Sequence, residues 1–279
     1  SFAKVLMERA GVPTAPFRIF YDPDRAEAFV RQAGRPLVVK ADGLAAGKGV
    51  RVCDTPEQAL AAVRELMVER RLGDAGRMVV IEERLQGEER SLMVVTDGER
   101  ACLLPLARDY KRLKDGDAGP NTGGMGSVAP VPLQRLPEEW DVERLLARVV
   151  HPVLGALAAE GAPFRGVLYA GLMLTAEGPR VLEFNCRPGD PETQAQVLVS
   201  EPRALAQALL AAAGVQGFRL PDDPMALVRA QRASRGGGDG SHACCVVLAS
   251  DGYPEQPRTG DVIEGLEEAG GLEGVVIFH

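Results

Sequence analysis

The chain has 279 residues, 46% apolar and 25% charged, a composition typical of a globular protein with room for two or more cooperating subdomains. Its formal net charge of −7 argues against nucleic acid or an anionic membrane surface as a partner. The sequence shows no secretory signal and no apolar run long enough to span a membrane, so we expect a cytoplasmic protein.

The amino-terminal part of the chain is predicted to alternate helices and strands. A capping box from Thr55 to Gln58, with Pro56 at the first helical position, starts the best-marked of these helices. Helices are predicted at residues 1–10, from Asp22 to Gly34 and after Thr55, and strands at Phe17–Phe20, Leu37–Lys40, Val50–Cys53 and Met78–Glu82.

The rest of the chain continues as a mixed α/β protein without an internal repeat. Ser234–Ser241 is rich in glycine and is interpreted as a flexible linker. Strands are predicted at Ser91–Thr96, Ala101–Leu106, Val167–Leu174, Arg180–Phe184 and His242–Leu248, and helices at residues 138–160, with a possible kink at Pro152, and at residues 202–213.

A loop of small residues follows the predicted strand that ends at Lys40. Gly43, Gly47 and Gly49 would let backbone N–H groups approach an anion closely, and Lys48 adds a positive charge. The spacing is not that of a Walker A loop. A plain glycine-rich turn is the alternative interpretation.

A second motif joins the charged run 107–112 to a glycine cluster at residues 119–126. Such a cluster within a long connection is too irregular for a core element, and long loops in compact domains are commonly functional. The alternative is a flexible surface loop with a solvated charge run.

The most informative motif is the run Glu183–Gln194, at the exit of an apolar strand. Side chains alternate along a strand, so Glu183 and Asn185 are expected on one face, where two oxygen donors suit Mg²⁺. Arg187 supplies a fork for a phosphate or carboxylate. The alternative is a polar turn in which Arg187 pairs with Asp190 or Glu192. No histidine lies near Cys186 in sequence, so Cys186 is interpreted as a packing residue.

Together these segments resemble the phosphoribosylamine–glycine ligase family of ATP-grasp enzymes. The resemblance lies in Lys40–Val50, Ile81–Glu89, Pro120–Gly126, Tyr169–Met173, Glu183–Gln194 and Gly252–Pro254. It implies an α+β fold in which two subdomains grip ATP. The domains expected from it are a connecting helix (1–16), the grasp lid (17–86), the large grasp subdomain (87–215), a linker (216–241) and part of a β-rich carboxyl-terminal domain (242–279). An amino-terminal domain of about a hundred residues and the end of the carboxyl-terminal domain are expected to be missing.

The resemblance implies an ATP-dependent ligase that joins glycine to 5-phosphoribosylamine through glycyl phosphate. The oligomeric state stays open, with a monomer favoured. Phosphate contacts are expected from Lys40, Gly43, Gly47, Lys48 and Gly49, adenine contacts from Glu82, Glu83 and Leu85, and ribose contacts from Glu89. Glu183 and Asn185 would hold Mg²⁺ or Mn²⁺. The catalytic pocket would contain Asp109, Lys111, Arg187 and Asp190, with the substrate loop Asn121, Thr122, Gly123, Gly124, Met125 and Gly126.

Two residues depart from the family pattern. Tyr110 stands where the family usually has histidine, and Pro188 where it usually has an aromatic residue, which predicts local repacking rather than another reaction. Another carboxylate–amine ligase of the grasp type, an ATP-binding fragment without turnover and a non-enzymatic scaffold are the alternatives.

Overall fold

The computed structural model describes residues 1–45, 48–116, 118–132, 140–230 and 242–279. Two antiparallel four-stranded sheets dominate it. The helices of the first half are α1 (Phe2–Arg9), α2 (Pro23–Ala33) and α3 (Pro56–Val63). The strands of the first sheet are β1 (Phe17–Phe20), β2 (Leu37–Ala41), β3 (Val50–Cys53) and β4 (Val79–Glu83), in the spatial order β1–β4–β2–β3.

The first sheet confirms the elements predicted from local patterns. Helices α2 and α3 cover it, and Val30, Val39 and Ile81 are among the buried residues of the shared core. The side chain of Asp22 accepts a hydrogen bond from the Arg25 amide at 3.0 Å, and Gly34 ends α2 with a φ of 57°.

The predicted cap of α3 is also present, with one difference. Thr55 accepts from the Gln58 amide at 3.3 Å, as expected. Gln58 Oε1 accepts from Asp54 N at 2.7 Å, one residue before the position that a capping box would use. Beyond α3 the helix widens into a π-turn at Arg64–Val68.

The second sheet has an apolar core on each face. Its strands are β5 (Glu88–Thr96), β6 (Ala101–Leu103), β11 (Gly166–Thr175) and β12 (Gly178–Asn185), and the predicted β11–β12 hairpin is confirmed. Leu92, Leu168 and Leu172 pack on the face toward α1 and the helices that end at Ala159. The opposite face packs on α7 (Pro202–Ala212) at one end. The other end of that face carries polar side chains.

The helix predicted at 138–160 is observed as α4 (Val142–Leu145), a π-turn (Leu146–Val150) and α5 (His151–Ala159). The amide of His151 donates to Leu146 O, which closes the π-turn immediately before Pro152, a residue without an N–H to donate. Residues 133–139 lie outside the described part.

The segment 107–126 is not the irregular loop that its composition indicated. It contains β7 (Arg108–Asp109), β8 (Arg112–Lys114), β9 (Ala118–Asn121) and the start of β10 (Gly126–Ala129). Strands β8 and β9 form a hairpin, and β10 lies between β7 and β13 (Ala243–Val246). The prediction failed because these strands are only two to four residues long and because β10 pairs with the distant strand β13.

The carboxyl-terminal part completes this small sheet. The strand predicted at His242–Leu248 is confirmed at β13, which pairs with β10. The remaining helices are α6 (Glu192–Val199), α8 (Ala226–Arg229) and α9 (Leu266–Gly270). Leu220 and Leu227 are buried in the core under α7, so any linker begins later than residue 216. The glycine-rich run Ser234–Ser241 lies outside the described residues. Among the residues that the structure describes, no helix is long and apolar enough to cross a membrane.

Candidate functional site

Strand register builds the site across one face of the second sheet. Ser91 of β5 is opposite Gly171 of β11, which in turn is opposite Glu183 of β12. In the next row, Tyr169 of β11 is opposite Asn185. Directly paired residues of antiparallel strands point to the same face, so these polar groups share one surface.

The two expected metal ligands lie together. Asn185 Nδ2 donates to Glu183 Oε1 at 3.2 Å, which confirms that both side chains lie on one face. Gly171 leaves room for them, because a Cβ there would lie 3.4 Å from Glu183 Cγ. No group of three His, Cys, Asp or Glu side chains in the described ranges could hold a metal ion. A Mg²⁺ ion held by this pair would take its remaining ligands from phosphate and water, as Mg²⁺ ions commonly do in proteins.

Lys40 reaches the same strand from the first sheet. Its Nζ donates to Leu182 O, next to Glu183, at 3.0 Å and lies 3.0 Å from Glu82 Oε1. Glu82 is buried, and its other oxygen lies 2.8 Å from Lys4 Nζ. We call Lys4, Lys40 and Glu82 the lysine–glutamate cluster. Sequence reasoning missed Lys4, although its place on the buried side of an amphipathic helix is an unusual position for a lysine.

The glycine-rich loop packs closely where the structure describes it. A Cβ at Gly43 would lie 2.5 Å from Ala75 Cα, and one at Gly49 would lie 2.8 Å from Ala45 Cβ, so both positions exclude larger residues. Lys48 is exposed. Gly47 lies outside the described residues.

The expected adenine hinge follows β4. The Glu83 amide donates to Pro16 O at 3.0 Å, and its side chain lies 3.3 Å from Arg35 Nη1. That N–H is thus engaged within the protein. Leu85 is half-buried in the short connection between β4 and β5.

An excess of carboxyl groups lies beside the metal pair. We call Glu89, Asp109 and Glu192, with Lys111, the acidic cluster. Lys111 Nζ lies 2.9 Å from Glu89 Oε2 and 3.6 Å from Asp109 Oδ2. Glu89, expected at the ribose, is thus the partner of Lys111.

Burial sets the protonation of the acidic cluster. Asp109 is 8% exposed, and its Oδ1 accepts no hydrogen bond within the described part of the chain. Burial raises the pKa of Asp109 to about 7, with Lys111 opposing the shift and Glu192 adding to it. Although burial disfavours the lysine cation, the carboxyl groups of Glu89 and Asp109 raise the pKa of Lys111 well above its usual value. The cluster therefore holds Lys111 charged and Asp109 ready to exchange a proton near neutral pH.

Glu192 and Tyr169 are parts of this face that the sequence analysis did not identify as site residues. Ser91 Oγ donates to Glu192 Oε1 at 2.7 Å and lies 3.1 Å from Tyr169 OH. Burial also raises the pKa of Tyr169 above its usual value, so its hydroxyl stays protonated. Tyr169 could have been found from the sequence, because it lies two residues before Gly171 on a predicted strand and therefore on the same face. Glu192 was noted only as a partner for Arg187.

The substrate loop is held against the acidic cluster by its own backbone. Thr122 N donates to Lys111 O at 2.7 Å, and Met125 N donates to Tyr110 O at 2.8 Å. Gly124 has a φ of 138°, and a Cβ there would lie 2.5 Å from Pro191 Cδ and 2.8 Å from Asp109 Oδ1. Asn121 ends β9, the Gly123 amide donates to Tyr253 OH at 3.3 Å, and Gly126 starts β10.

The turn after β12 differs from the polar-turn alternative. Arg187 is exposed and donates to Pro188 O at 2.9 Å. Asp190 instead accepts from Gln194 at 2.8 Å. Cys186 is exposed, so its interpretation as a packing residue was wrong, because the chain leaves the sheet at this point.

The two residues that depart from the family pattern, Tyr110 and Pro188, are both exposed. The Arg108 guanidinium lies 4.8 Å from the ring centre of Tyr110, and Pro188 lies in the turn after β12.

Chemically, this face combines two oxygen donors on one strand, a lysine next to them and a cluster of carboxyl groups with one ammonium group. Such a set suits phosphoryl transfer, where charge neutralisation and positioning do most of the work.

Comparisons with known proteins show the family of this chain. The sequence model of the family described as "Phosphoribosylglycinamide synthetase, ATP-grasp (A) domain" matches residues 1–193. The chain is 53% identical over 193 residues to the phosphoribosylamine–glycine ligase of Streptococcus pneumoniae serotype 4, covering 69% of this chain and 45% of that protein. It is 44% identical over its whole length to the ligase of Listeria monocytogenes, of which it covers 61%.

The fold comparison gives the same family. The crystal structure of the phosphoribosylamine–glycine ligase of Thermotoga maritima matches with a TM-score of 0.77 and 37% identity, over 92% of this chain and 60% of that one. The chain thus spans about half of the length of the relatives that it matches. It has the α+β ATP-grasp fold and belongs to the phosphoribosylglycinamide synthetase family.

Proposed function

We propose that this chain is the ATP-binding and glycine-activating part of a phosphoribosylamine–glycine ligase. The observation that carries the proposal is the hydrogen bond of Lys40 to Leu182 O, which places this lysine next to the Glu183–Asn185 pair on β12. A positive charge beside two oxygen donors for Mg²⁺ suits the binding of the phosphates of ATP.

The reaction has two steps. A carboxylate oxygen of glycine attacks the γ-phosphorus of ATP, and the bond to the β,γ-bridging oxygen breaks to give glycyl phosphate and ADP. The amine of 5-phosphoribosylamine then attacks the glycyl carbonyl carbon and loses a proton as inorganic phosphate leaves. The product is glycinamide ribonucleotide. Both steps build negative charge on oxygen, which positive groups must stabilise.

Lys40 and the loop of residues 43–49 are proposed to hold the phosphates. The Nζ of Lys40 has two neighbours, Leu182 O and Glu82 Oε1, and its side chain is 19% exposed, so a third hydrogen can meet a phosphate oxygen. Lys48 would add its charge from the loop, and the backbone near Glu82, Glu83 and Leu85 would contact adenine. The amide of Glu83 is already engaged with Pro16 O, so carbonyl groups are the better candidates there.

Glu183 and Asn185 would hold Mg²⁺ or Mn²⁺. The donor set fits, because one carboxylate and one amide oxygen are hard ligands that leave positions for phosphate. The metal, when bound, would supply charge neutralisation at the phosphates.

The acidic cluster and the substrate loop are proposed to hold glycine and the amine. Lys111, kept charged by Glu89, would face negative charge on the acyl phosphate. Asp109, with a pKa of about 7, can take the proton that the attacking amine releases. Arg187 and Asp190 lie in the exposed turn beyond Asn185, where a bound phosphate could draw Arg187 from Pro188 O.

The wider setting is part of the same proposal. Residues 17–86 would act as the lid and residues 87–230 as the large subdomain. We propose a cytoplasmic enzyme with small-molecule substrates and no nucleic acid or membrane partner.

Trapping of glycyl phosphate tests the proposal without phosphoribosylamine. The chain is incubated with ATP, Mg²⁺, glycine and hydroxylamine, which converts glycyl phosphate to glycine hydroxamate. Equal amounts of hydroxamate and ADP are expected, with strong reduction in Lys40→Met and Glu183→Gln but not in Glu177→Gln, an acid in the exposed turn before β12. A chain that binds MgATP yet forms no hydroxamate would be a nucleotide-binding module without turnover.

A further inference from the structure

A buried lysine is the least expected part of the lysine–glutamate cluster. Lys4 comes from α1, Lys40 from β2 and Glu82 from β4. The side chains of Lys4 and Glu82 are 6% and 3% exposed, against 19% for Lys40. Within this cluster a ligand can therefore reach Lys40, while Lys4 is closed off from solvent.

The charge count of the cluster depends on Lys4. With all three groups ionised, two ammonium groups share one carboxylate, and the cluster has one net positive charge. Each oxygen of Glu82 faces one lysine, at 2.8 Å for Lys4 and 3.0 Å for Lys40. Without Lys4, the buried carboxylate would have Lys40 alone as its counter-charge, and the attraction between them is strong in a poorly solvated site.

The surroundings hold Lys4 in place. Its Nζ donates to Thr14 Oγ1 at 2.6 Å, and that hydroxyl donates to Val181 O at 2.6 Å. Lys40 donates to the next carbonyl along the strand, that of Leu182. Lys40 is thus fixed directly on a carbonyl of β12, and Lys4 is fixed through Thr14 on the preceding carbonyl, immediately before Glu183. Burial lowers the pKa of Lys4 to about 8, and Glu82 opposes that shift.

We propose that Lys4 is a positioning residue for nucleotide binding, which neutralises Glu82 and so leaves the charge of Lys40 available to the phosphates of ATP. The inference rests on the proposed function, because it takes Lys40 as a phosphate contact. Lys4 itself does not touch the nucleotide.

A charge series separates this role from simple packing. Calorimetry with MgATP compares the wild type (net charge +1 in the cluster), Lys4→Met (0) and the double variant Lys4→Met with Glu82→Gln (+1). We expect Lys4→Met to weaken binding about tenfold and the double variant to return to within about threefold of the wild type. Lys114→Met removes an exposed positive charge and should bind as the wild type does. The substitution at Glu82 keeps the backbone groups that are proposed to contact adenine.

A merely structural Lys4 gives another pattern. Removing two buried partners would then weaken binding at least as much as removing one, so a double variant no better than Lys4→Met overturns the inference. Thermal melts monitor folding, and Lys4→Gln replaces Lys4→Met in both single and double variants if the methionine does not fold. A wild type that binds no MgATP overturns the proposed function itself, whereas equal binding by the wild type and Lys4→Met overturns the role of Lys4 alone.

Discussion

The lysine–glutamate cluster and the acidic cluster have opposite charge balance. The first has two lysines around one buried carboxylate, and the second has three carboxyl groups around one lysine. The first is suited to an anion such as phosphate. The second has an excess of carboxyl groups and is suited to an ammonium group or a proton. The difference teaches that two neighbouring clusters can divide the proposed binding of ATP and of the amine between them.

The largest effect on stability is expected from adding a side chain at Gly124, next to Asp109 of the acidic cluster. Gly124→Ala adds a methyl group where Pro191 Cδ would lie at 2.5 Å, on a backbone with a φ of 138°. We expect a loss of about 3 kcal/mol in the free energy of unfolding, measured by urea denaturation. Gly155→Ala has no heavy atom within 4 Å of the new Cβ and is the control. Equal stability of both variants would mean that the loop is not held as described.

Removing the accessible lysine comes next. Lys40→Met should weaken MgATP binding by about 2 kcal/mol, or roughly thirtyfold, because a charged hydrogen bond to phosphate is lost. Calorimetry checks this, with Lys114→Met as the charge-matched control. Retained affinity in Lys40→Met would remove the phosphate role from the lysine–glutamate cluster.

The pH dependence of stability tests the acidic cluster. The folded-state pKa of Asp109 is raised to about 7, so the folded protein keeps a proton there that the unfolded chain has already released. This contribution to stability is full below the unfolded pKa of about 4 and is lost as the pH rises through about 7.

Asp109→Asn should therefore flatten the profile. Between about pH 5 and about pH 8 the wild type should lose on the order of 2 kcal/mol more than the variant. Denaturation at both pH values measures the difference. Parallel profiles for the two proteins would show that the carboxyl ionises normally.

The smallest effect is expected at Ser91. Its hydroxyl donates to Glu192 at 2.7 Å, and Ser91→Ala should cost about 1–2 kcal/mol of stability because a buried carboxylate oxygen loses a partner. Ser91→Cys retains a weak donor and should fall between the two. A fully stable alanine variant would mean that Glu192 is satisfied in another way.

Local patterns predicted the elements that local forces determine. The caps at Asp22 and Thr55 satisfy amides within four residues, and the β11–β12 hairpin closes over a short turn, so both are visible in the sequence. The same-face placement of Glu183 and Asn185 followed from strand alternation alone.

Contacts between distant segments were not predictable in this way. Lys4, Lys40 and Glu82 meet only because α1 and two strands of the first sheet converge on β12. Strand β10 pairs with the distant strand β13, Ala107 pairs with Ser91 of β5, and Glu192 of α6 is hydrogen-bonded by Ser91. In each case the stabilising partner is far away in sequence, and the hydrophobic periodicity within one segment does not indicate such a contact.

Binding of ATP to the wild type with and without Mg²⁺ tests the central claim most directly. The account predicts one ATP per chain, bound more tightly with Mg²⁺ than with a chelator, and loss of that gain in Glu183→Gln. Binding that is absent, or that is the same with and without Mg²⁺, would contradict a nucleotide site built on Lys40 and the Glu183–Asn185 pair.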